Sequence, residues 1–270
     1  MPHYLVLVDQ PQLKRSGTRT TNQPKRISKQ QGEIQRLYDD AKLRYNQSSW
    51  SSLLETLLSA KNRPTVNKIV SLGLGSLYEK SRDQSRRLKQ LAMLLGVADY
   101  LRLKGSPEIA IYAQDPSFTK ADDAFLRSLG VQVLKTPSPS DLGEAGRIID
   151  DKTLLYSPFL TMEAYELLLK NCAMELLLGD DFSVLRSKWE KHTAEHKQVE
   201  LLMKSGVSKY QRRAIRGDGF WGEEDWHFPM ALYWRPSQRI NGQTGARNEK
   251  AMSQFDQVRR LREDAPRSRL

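Results

Sequence analysis

The chain has 270 residues, of which 39% are hydrophobic, and its formal net charge at pH 7 is +11. This length allows one α/β domain with extensions, or two small domains. The single cysteine, Cys172, excludes an intrachain disulfide and a cysteine-based zinc site. The apolar run at residues 4–8 is too short for a signal peptide or a membrane span. We therefore expect a cytoplasmic or nuclear protein without membrane contact.

Much of the excess positive charge lies at the two ends of the chain. Residues 1–30 are predicted to form a flexible basic segment, and residues 241–270 a disordered basic tail. In such segments the charge mainly provides solubility. Arg212, Arg213 and Arg216 form a further basic patch, but no RNA-recognition or helix-turn-helix pattern accompanies them. We therefore do not expect a nucleic-acid partner.

Residues 31–63 are predicted to form a helical extension before the main domain. Apolar residues such as Ile34 and Tyr38 recur there at helical spacing, and a second helical pattern begins at Trp50 after a polar break. Pro64 ends this part of the chain. Two amphipathic helices are thus expected ahead of the first strand.

The central feature of the sequence is a short apolar segment, residues 66–72, that runs into Gly73-Leu74-Gly75-Ser76. Such a segment is typical of a buried strand in a parallel sheet. A strand that ends in a glycine turn and continues as a helix surrounds a phosphate-sized concavity with backbone N–H groups. Because the third glycine of the dinucleotide fingerprint is absent, two interpretations stay open. The turn is either a cradle for a phosphate or carboxylate, or a tight turn without a ligand.

Four further strands are predicted, at residues 108–113, 131–134, 153–156 and 174–178. A predicted helix starts at Ser81, where Gln84 completes a capping box. A second, shorter helix is predicted to be capped by Thr119 at its start and to end at Gly130 with a left-handed cap. The composition of residues 136–151 is typical of a loop. This alternation predicts an α/β, Rossmann-like domain at residues 64–206, with a mostly parallel five-stranded sheet and helices on both faces. Right-handed crossovers favour the strand order 3-2-1-4-5.

Ligands of open α/β sheets bind at the carboxyl ends of the strands, where the strand order reverses. The predicted binding residues lie at such ends: Gly73, Gly75, Ser76, Asp115, Tyr156, Pro158, Gly179 and Asp181. Asp115 matches the acid that hydrogen-bonds a ribose hydroxyl, although it lies about twice the usual ~20 residues from the glycines. A turn-forming aspartate before Pro116 is the slightly favoured interpretation. A small nucleotide-like ligand is one hypothesis for this edge, and the sequence identifies no cofactor.

Side chains suited to catalysis are sparse. His192 and His196 are four residues apart on a predicted helix, but Thr193 stands where the usual zinc motif has glutamate. A solvated helix face is the favoured interpretation. Cys172 lies between a predicted helix and a predicted strand, which indicates a small buried residue rather than a nucleophile. The sequence therefore leaves the catalytic residues, if the protein is an enzyme, unidentified, and we predict no metal site.

Residues 207–240 are predicted to form an aromatic-rich extension. Its aromatic residues include Phe220, Trp221, Trp226, Phe228, Tyr233 and Trp234. They either pack back on the core or form a surface for a partner, and the sequence leaves both alternatives open.

An ordered set of short motifs runs through residues 68–182. They are Gly73-Leu74-Gly75-Ser76, Gln90-Leu91-Ala92, Asp115-Pro116-Ser117-Phe118, Leu129-Gly130-Val131-Gln132-Val133, Leu154-Leu155-Tyr156-Ser157-Pro158 and Gly179-Asp180-Asp181-Phe182. In order and spacing this set resembles the SRR-like domain, named after the plant protein "sensitivity to red light reduced". The chain departs from the family pattern at Phe159, where the family usually has His, and at Asp180-Asp181, where it has Asn-Ser.

The resemblance implies a regulatory role. Members of the family are linked to circadian timing and light signalling in plants, and to haem metabolism and cytoskeletal stability in fungi. The loss of the family's His argues against acid–base catalysis. Our first hypothesis is a regulatory protein that binds a small ligand between Gly73 and Asp115, with protein partners still to be identified. The alternative is a nucleotide- or S-adenosylmethionine-dependent enzyme of the transferase type, which rests on fold analogy.

Overall fold

The computed structural model describes residues 23–60, 63–105, 108–136, 142–172, 174–222 and 229–236. Its strands are β1 (Lys68–Leu72), β2 (Ala110–Gln114), β3 (Val131–Val133), β4 (Thr153–Ser157), β5 (Leu176–Asp180), β6 (Gln211–Ile215) and β7 (Met230–Trp234). Its helices are α1 (Gln23–Gln47), α2 (Ser49–Leu58), α3 (Gln84–Leu103), α4 (Lys120–Ser128), α5 (Gly143–Ile148), α6 (Met162–Asn171), α7 (Phe182–Lys188) and α8 (Ala194–Leu201). A π-helical segment, Leu202–Val207, continues α8.

The seven strands form one sheet in the order β3-β2-β1-β4-β5-β7-β6. The first five strands pair in parallel, in the predicted order 3-2-1-4-5. The predicted number of strands, five, is wrong, because β7 pairs antiparallel with β5 and β6 pairs antiparallel with β7. The α/β class with a mostly parallel sheet is confirmed, with seven strands.

The two additional strands come from the predicted aromatic-rich extension, residues 207–240. All residues of β7 are buried, including Tyr233 and Trp234, so this part packs on the core. Without β7, the edge of β5 would present unpaired backbone N–H and C=O groups. The hydrophobic pattern of the sequence predicts neither strand, because β6 has three exposed residues in succession and β7 has no polar–apolar alternation. Trp226 and Phe228 lie outside the described residues.

The helices form a layer on each face of the sheet. On one face, Ile34, Tyr38 and Tyr45 of α1 share a hydrophobic core with α3 and the sheet. A Cβ added at Gly96 of α3 would lie 2.2 Å from the ring of Tyr45, so glycine permits this close helix contact. On the other face, a second core includes buried residues of α6, α7 and α8. The predicted helical extension is thus part of one α/β structure.

The start of α1 differs from the prediction. The helix begins at Gln23, inside the predicted flexible segment 1–30, because Pro24 is tolerated in a first helical turn. Residues 1–22 and 241–270 lie outside the described residues, and with them the rest of both predicted basic segments. Within the described ranges, no helix combines the length and apolar character that crossing a membrane requires.

One predicted helix cap is confirmed and the other is wrong. Thr119 and Asp122 form a reciprocal capping box at the start of α4. By contrast, α3 begins only at Gln84, and Ser81 does not cap it. The side-chain amide of Gln84 donates instead to the carbonyl of Leu77, at 2.8 Å.

The predicted loop at residues 136–151 contains a short helix, α5. Gln114, the last residue of β2, holds it from both sides. Its side-chain amide donates to the carbonyl of Leu142 (2.9 Å), and its carbonyl oxygen accepts the N–H of Ala145 (2.9 Å). A helix of six residues has almost no periodicity, so this long-range anchoring is invisible in the sequence.

Candidate functional site

The carboxyl ends of β1, β2, β4 and β5 meet along one edge of the sheet. Leu72 pairs with Gln114 at the ends of β1 and β2, and Ser157 pairs with Gly179 near the ends of β4 and β5. Since β1 lies between β2 and β4, the strand order reverses at this point. Open α/β sheets bind ligands at such a switch point. The predicted binding residues lie along this edge and differ in what they contact.

The glycine turn after β1 is closed by two carboxylates. Gly73 and Gly75 both have a positive φ (76° and 75°), which favours glycine. The N–H of Gly75 donates to Asp115 Oδ2 at 2.8 Å. The hydroxyl of Ser76 donates to Asp122 Oδ2 at 2.8 Å, and the N–H of Leu77 donates to Asp122 Oδ1 at 2.7 Å. The amides expected to hold a phosphate therefore contact acidic side chains.

Asp115 has the turn-forming role considered for it and also contacts the glycine turn. Its Oδ1 accepts the N–H of Ser117 (2.8 Å) and the hydroxyl of the same residue (2.6 Å), as in a turn-forming aspartate. Its Oδ2 reaches across to Gly75. The side chain is partly exposed, and a carboxylate has about four lone-pair sites. Asp115 can therefore accept one further hydrogen bond from a ligand.

Leu160, three residues after β4, packs against the glycine turn that follows β1. A Cβ placed on Gly73 would lie 3.1 Å from its Cδ1. Gly75 is equally constrained, because a Cβ there would lie 2.6 Å from Nε of Arg87. Both glycines thus serve close packing as well as the turn itself.

Three of the predicted binding residues are buried in packing contacts. Tyr156 is fully buried, and its hydroxyl donates to the carbonyl of Gln90 in α3 at 2.9 Å. Pro158 is buried directly after β4. A Cβ on Gly179 would lie 2.7 Å from the hydroxyl of Tyr165. The structure thus buries all three of these residues.

Asp181 caps a helix and forms an ion pair. Its carboxylate accepts the N–H of Ser183 in the first turn of α7, at 3.1 Å. Arg212 of β6 donates to both carboxylate oxygens, with Nε at 2.8 Å from Oδ1. The side chain of Asp181 is only 2% exposed. Its charge is thus committed to the contact between β5 and β6.

Asp180, the last residue of β5, is a buried carboxyl group next to a strained residue. Phe159 has a φ of 67°, an uncommon value for a residue with a side chain. Its N–H donates to both carboxylate oxygens of Asp180, each at 3.1 Å. Burial is the largest influence on this carboxyl and raises the pKa of Asp180 to about 7, although the Phe159 amide acts in the opposite direction. Such a carboxyl can exchange a proton near neutral pH.

An aromatic cluster borders this edge. The ring of Phe159 contacts Trp221 edge-on, and Trp221 contacts Trp50 of α2 in the same way. The indole N–H of Trp50 donates to the carbonyl of Gly217 at 2.8 Å. A cavity of about 560 Å³ lies beside the two tryptophans and also contacts Asp181.

Sequence reasoning missed three residues that shape the edge. Asp122 could have been found, since Thr119-x-x-Asp122 has the spacing of a helix cap. Gln114 carries no local signal, and Arg212 is predicted only as part of a basic patch, because the partners of both are distant in the sequence.

The two histidines on α8 and its approach lie elsewhere. His192 and His196 line a separate cavity of about 610 Å³ together with Trp189 and basic residues. Within the described ranges, no cluster of three or more potential ligands could hold a metal ion. Cys172 is buried, and burial raises the pKa of its thiol.

A protein-family model described as the SRR1 domain matches residues 43–256. The match spans more than half of the chain and includes the motif series at residues 68–182. It confirms the resemblance found in the sequence and extends it on both sides. No curated protein matches the chain.

Several solved structures are similar to the chain. Fibrillarin from Aeropyrum pernix, with bound S-adenosyl-L-methionine, is 14% identical, with 68% of this chain and 72% of that chain covered and a TM-score of 0.39. Cofactor-bound Rv0187 from MTB is 13% identical, with 76% and 88% covered and a TM-score of 0.40. The fibrillarin pre-rRNA processing protein of Methanococcus jannaschii is 12% identical, with 67% and 71% covered and a TM-score of 0.38. Similarity at this level does not bear on activity, ligand or partner.

Proposed function

The chain belongs to the SRR1 domain family, and we propose that it is a regulatory protein that binds a small nucleoside at the switch point of its sheet. The observation that carries the proposal is the hydrogen bond from Gly75 N–H to Asp115 Oδ2, 2.8 Å long. It refines the nucleotide-like ligand expected from the sequence, because it favours a ligand without phosphate at the turn.

The two carboxylates disfavour an anion at the turn. Asp115 and Asp122 both accept hydrogen bonds from the turn between Gly75 and Leu77. A phosphate there would face like charges, and each pair at about 4 Å costs roughly 1 to 4 kcal/mol, depending on solvent exposure. A neutral or cationic ligand avoids this repulsion.

The position of Asp115 suits a ribose. An acid that follows the second strand of such a sheet hydrogen-bonds the ribose hydroxyls of a bound nucleoside. Asp115 follows β2 directly, is partly exposed, and retains acceptor capacity beside the three hydrogen bonds that it already accepts. Adenosine and S-adenosylmethionine both offer a ribose without phosphate, and the second also carries positive charge.

The surroundings of Asp115 support binding more than turnover. Tyr156 is buried against α3, and Asp181 is held by Arg212. Few groups along the edge are therefore free to transfer protons. In line with the family resemblance, we propose a regulatory role in light or circadian signalling or in haem metabolism. The protein would act through protein partners in the cytoplasm or nucleus.

The test compares ligands with and without phosphate by thermal unfolding of the full chain. A bound ligand at a hundred times its Kd adds about 2.7 kcal/mol to the free energy of unfolding. We expect adenosine, S-adenosylmethionine or its demethylated product to raise the Tm, and AMP and ATP to have less effect. Asp115→Asn should abolish the shift, whereas Asp123→Asn, which removes an exposed carboxylate of α4, should retain it. Stronger binding of ATP, or an unchanged shift in Asp115→Asn, would contradict the proposal.

Asp115 is a better test position than the glycine turn. Gly75→Val would force a branched side chain into a positive φ and against Arg87. A loss of binding in that variant could therefore result either from a lost ligand contact or from a distorted turn, and the experiment would not distinguish the two. Asp115→Asn keeps the size of the side chain and one acceptor oxygen.

The second candidate is a nucleotide- or S-adenosylmethionine-dependent enzyme, and the observation that favours it is Asp180. Burial raises the pKa of this carboxyl to about 7, which suits a general acid or base. To test it, the chain is incubated with S-adenosylmethionine and a cell extract, and the demethylated product is measured by mass spectrometry. An enzyme predicts product with the wild type and little with Asp180→Asn, whereas product formation equal to that of extract alone would exclude this transfer.

A further inference from the structure

The outer residues of α7 and α8, with the connection between the two helices, form a cavity of about 610 Å³, here called the α7–α8 cavity. Phe182 of α7 and Val199 of α8 are fully buried in the second core, so both helices are fixed against the sheet. Among the described residues that line the cavity, none belongs to the switch point. The cavity is therefore a separate surface, in the helix layer opposite α1 and α3.

Positive charge predominates around the α7–α8 cavity. Apart from two histidines, the charged residues that line it are three cations and one anion: Arg186, Lys191, Lys197 and Glu200. Lys204, in the π-helical segment, has its Nζ 3.1 Å from Glu200 Oε1. The hydrogen bond from Lys204 is the main reason that the pKa of Glu200 is below its usual value, and the charges of His196 and Arg186 add to the effect. Because this carboxylate is already paired, the three cations leave the cavity with an excess of positive charge.

Two large apolar side chains are exposed beside these charges. The described part of the chain exposes five such side chains, and two of them are Trp189 (45% exposed) and Leu201 (54% exposed). Trp189 lines the cavity, and Leu201 follows Lys197 by four residues, on the same face of α8. Tryptophan and arginine are enriched at protein–protein interfaces, where a few such residues provide most of the binding energy. An exposed tryptophan within a basic rim thus has the composition of a binding surface.

The connection between the two helices has a strained but well-fixed backbone. His192 has a φ of 77°, which is uncommon for a residue with a side chain. On either side of it, the hydroxyl of Thr193 donates to the carbonyl of Glu190 (2.9 Å) and accepts the N–H of His196 (3.2 Å). Strain of this kind persists only where the surroundings fix it, and it is concentrated at ligand contacts. The turn between Trp189 and α8 is therefore preorganised.

We propose that the α7–α8 cavity binds an acidic segment of a partner protein that carries an apolar side chain among its carboxylates. The apolar side chain packs on the exposed ring of Trp189. The carboxylates pair with the cations of the rim, as in the recognition of acidic motifs by basic clusters. All three cations are exposed, so a partner reaches them without a rearrangement of the fold. A cavity of this volume has room for a large side chain.

Charge favours this occupant over the others. Residues 241–270 contain seven basic and four acidic residues, so the tail of this chain would meet charges of its own sign. A second copy of the chain would place the same cations against each other in a two-fold contact. A nucleic acid or an anionic membrane requires positive charge over a wider surface. Here the exposed Glu190 and Glu195 interrupt it.

The test titrates the full chain into a fluorescent peptide and measures the anisotropy of the peptide. The probe contains four glutamates around a central phenylalanine, and in the control peptide glutamine replaces each glutamate. We expect saturable binding of the acidic peptide and none of the control. Added NaCl should weaken the binding, because salt screens exposed ion pairs. A thymidine oligonucleotide and phosphatidylserine vesicles, added as competitors, should displace little of the peptide.

Four variants assign the binding to the α7–α8 cavity. Trp189→Ala should raise the Kd of the acidic peptide about tenfold or more, as for a residue that dominates an interface. Arg186→Gln and Lys191→Gln should each raise it about two- to fivefold, as for exposed ion pairs. Glu200→Gln should instead lower the Kd, because it removes the carboxylate that competes with the peptide for the cations. The matched control is Leu103→Ala, which removes an exposed apolar side chain of α3, in the other helix layer.

Three results would overturn the proposal. One is the absence of acidic-peptide binding up to millimolar concentrations, or equal binding of the glutamine peptide. Another is an unchanged Kd in Trp189→Ala and Lys191→Gln, whose exposed positions keep the fold intact. The third is strong displacement by the oligonucleotide or the vesicles, which would assign the surface to a nucleic acid or a membrane. Asp115→Asn should leave peptide binding unchanged, so this proposal and the nucleoside site can fail independently.

Discussion

Replacing Asp180 by asparagine removes a proton-binding group from the interior of the protein. The side chain is buried, and burial raises its pKa from 3.8 to about 7. The folded chain therefore keeps this proton to a higher pH than the unfolded chain does. It follows that the free energy of unfolding falls as the pH rises from about 4 to about 7. A shift of about three units at 1.36 kcal/mol per unit gives a decrease of about 4 kcal/mol.

The assay is urea unfolding of the wild type and Asp180→Asn between pH 4.5 and 8. The difference between the two proteins isolates Asp180, because other titrating groups are present in both. Asparagine retains an oxygen that can accept the N–H of Phe159. We expect the wild type to lose about 3 kcal/mol of stability relative to the variant between pH 4.5 and 8, because the measured range covers most of the interval between the two pKa values.

A constant difference between the two proteins across this range would refute the reasoning. It would mean that the carboxyl of Asp180 titrates alike in the folded and unfolded chains, so that solvent reaches it or hydrogen bonds offset its burial. Asp123→Asn serves as the control for a lost carboxylate at the surface. Its pH dependence should follow that of the wild type.

Further substitutions test individual contacts by urea unfolding. Gly179→Ala should lower the free energy of unfolding by about 1 to 3 kcal/mol, because the new Cβ would lie 2.7 Å from the hydroxyl of Tyr165; an unchanged stability would show that this tyrosine can move away. Arg212→Gln should lower the free energy of unfolding by about 2 kcal/mol, because it leaves the buried carboxylate of Asp181 without its ion-pair partner. This loss is smaller than for a fully buried pair, since the side chain of Arg212 is itself 33% exposed. High salt should not reproduce this loss in the wild type. Tyr156→Phe should cost about 1 kcal/mol, since it removes one buried hydrogen bond. The affinity for a nucleoside, measured by calorimetry, should stay unchanged in Tyr156→Phe. A weakened affinity would show that Tyr156 contributes to the ligand site.

Local chemistry made several elements predictable. The strand order of the first five strands follows from alternating apolar segments and right-handed crossovers, and it is the observed order. Thr119 caps α4, and Gly130 takes a positive φ of 79° at the end of that helix. Ser81 does not cap α3 although its pattern is as good, because its N–H donates to the carbonyl of Glu79 (2.9 Å) instead of to the side chain of Gln84. A pattern of two residues cannot report such competition.

The candidate site was predictable as a location but not as a set of contacts. The sequence placed the glycine turn and Asp115 at strand ends, and both lie on the same edge of the sheet. It could not show that Tyr156 turns to the helix face of the sheet, where it contacts α3. All residues of β4 are buried, so no alternation marks the two faces of this strand.

The amino-acid sequence by itself determined the α/β class, the order of the five parallel strands, the glycine turn and the family. These features depend on hydrophobic periodicity and on hydrogen bonds between near neighbours, and short segments of the sequence are enough to predict both. Only the tertiary structure decided that the turn amide is taken by Asp115, that Asp181 is held by Arg212, and that β7 enters the sheet between β5 and β6. The contacts of Asp115 and Asp181 and the pairing of β7 with β5 join residues at least 31 positions apart. Such contacts arise because buried polar groups and open strand edges must find partners wherever the folded chain brings them.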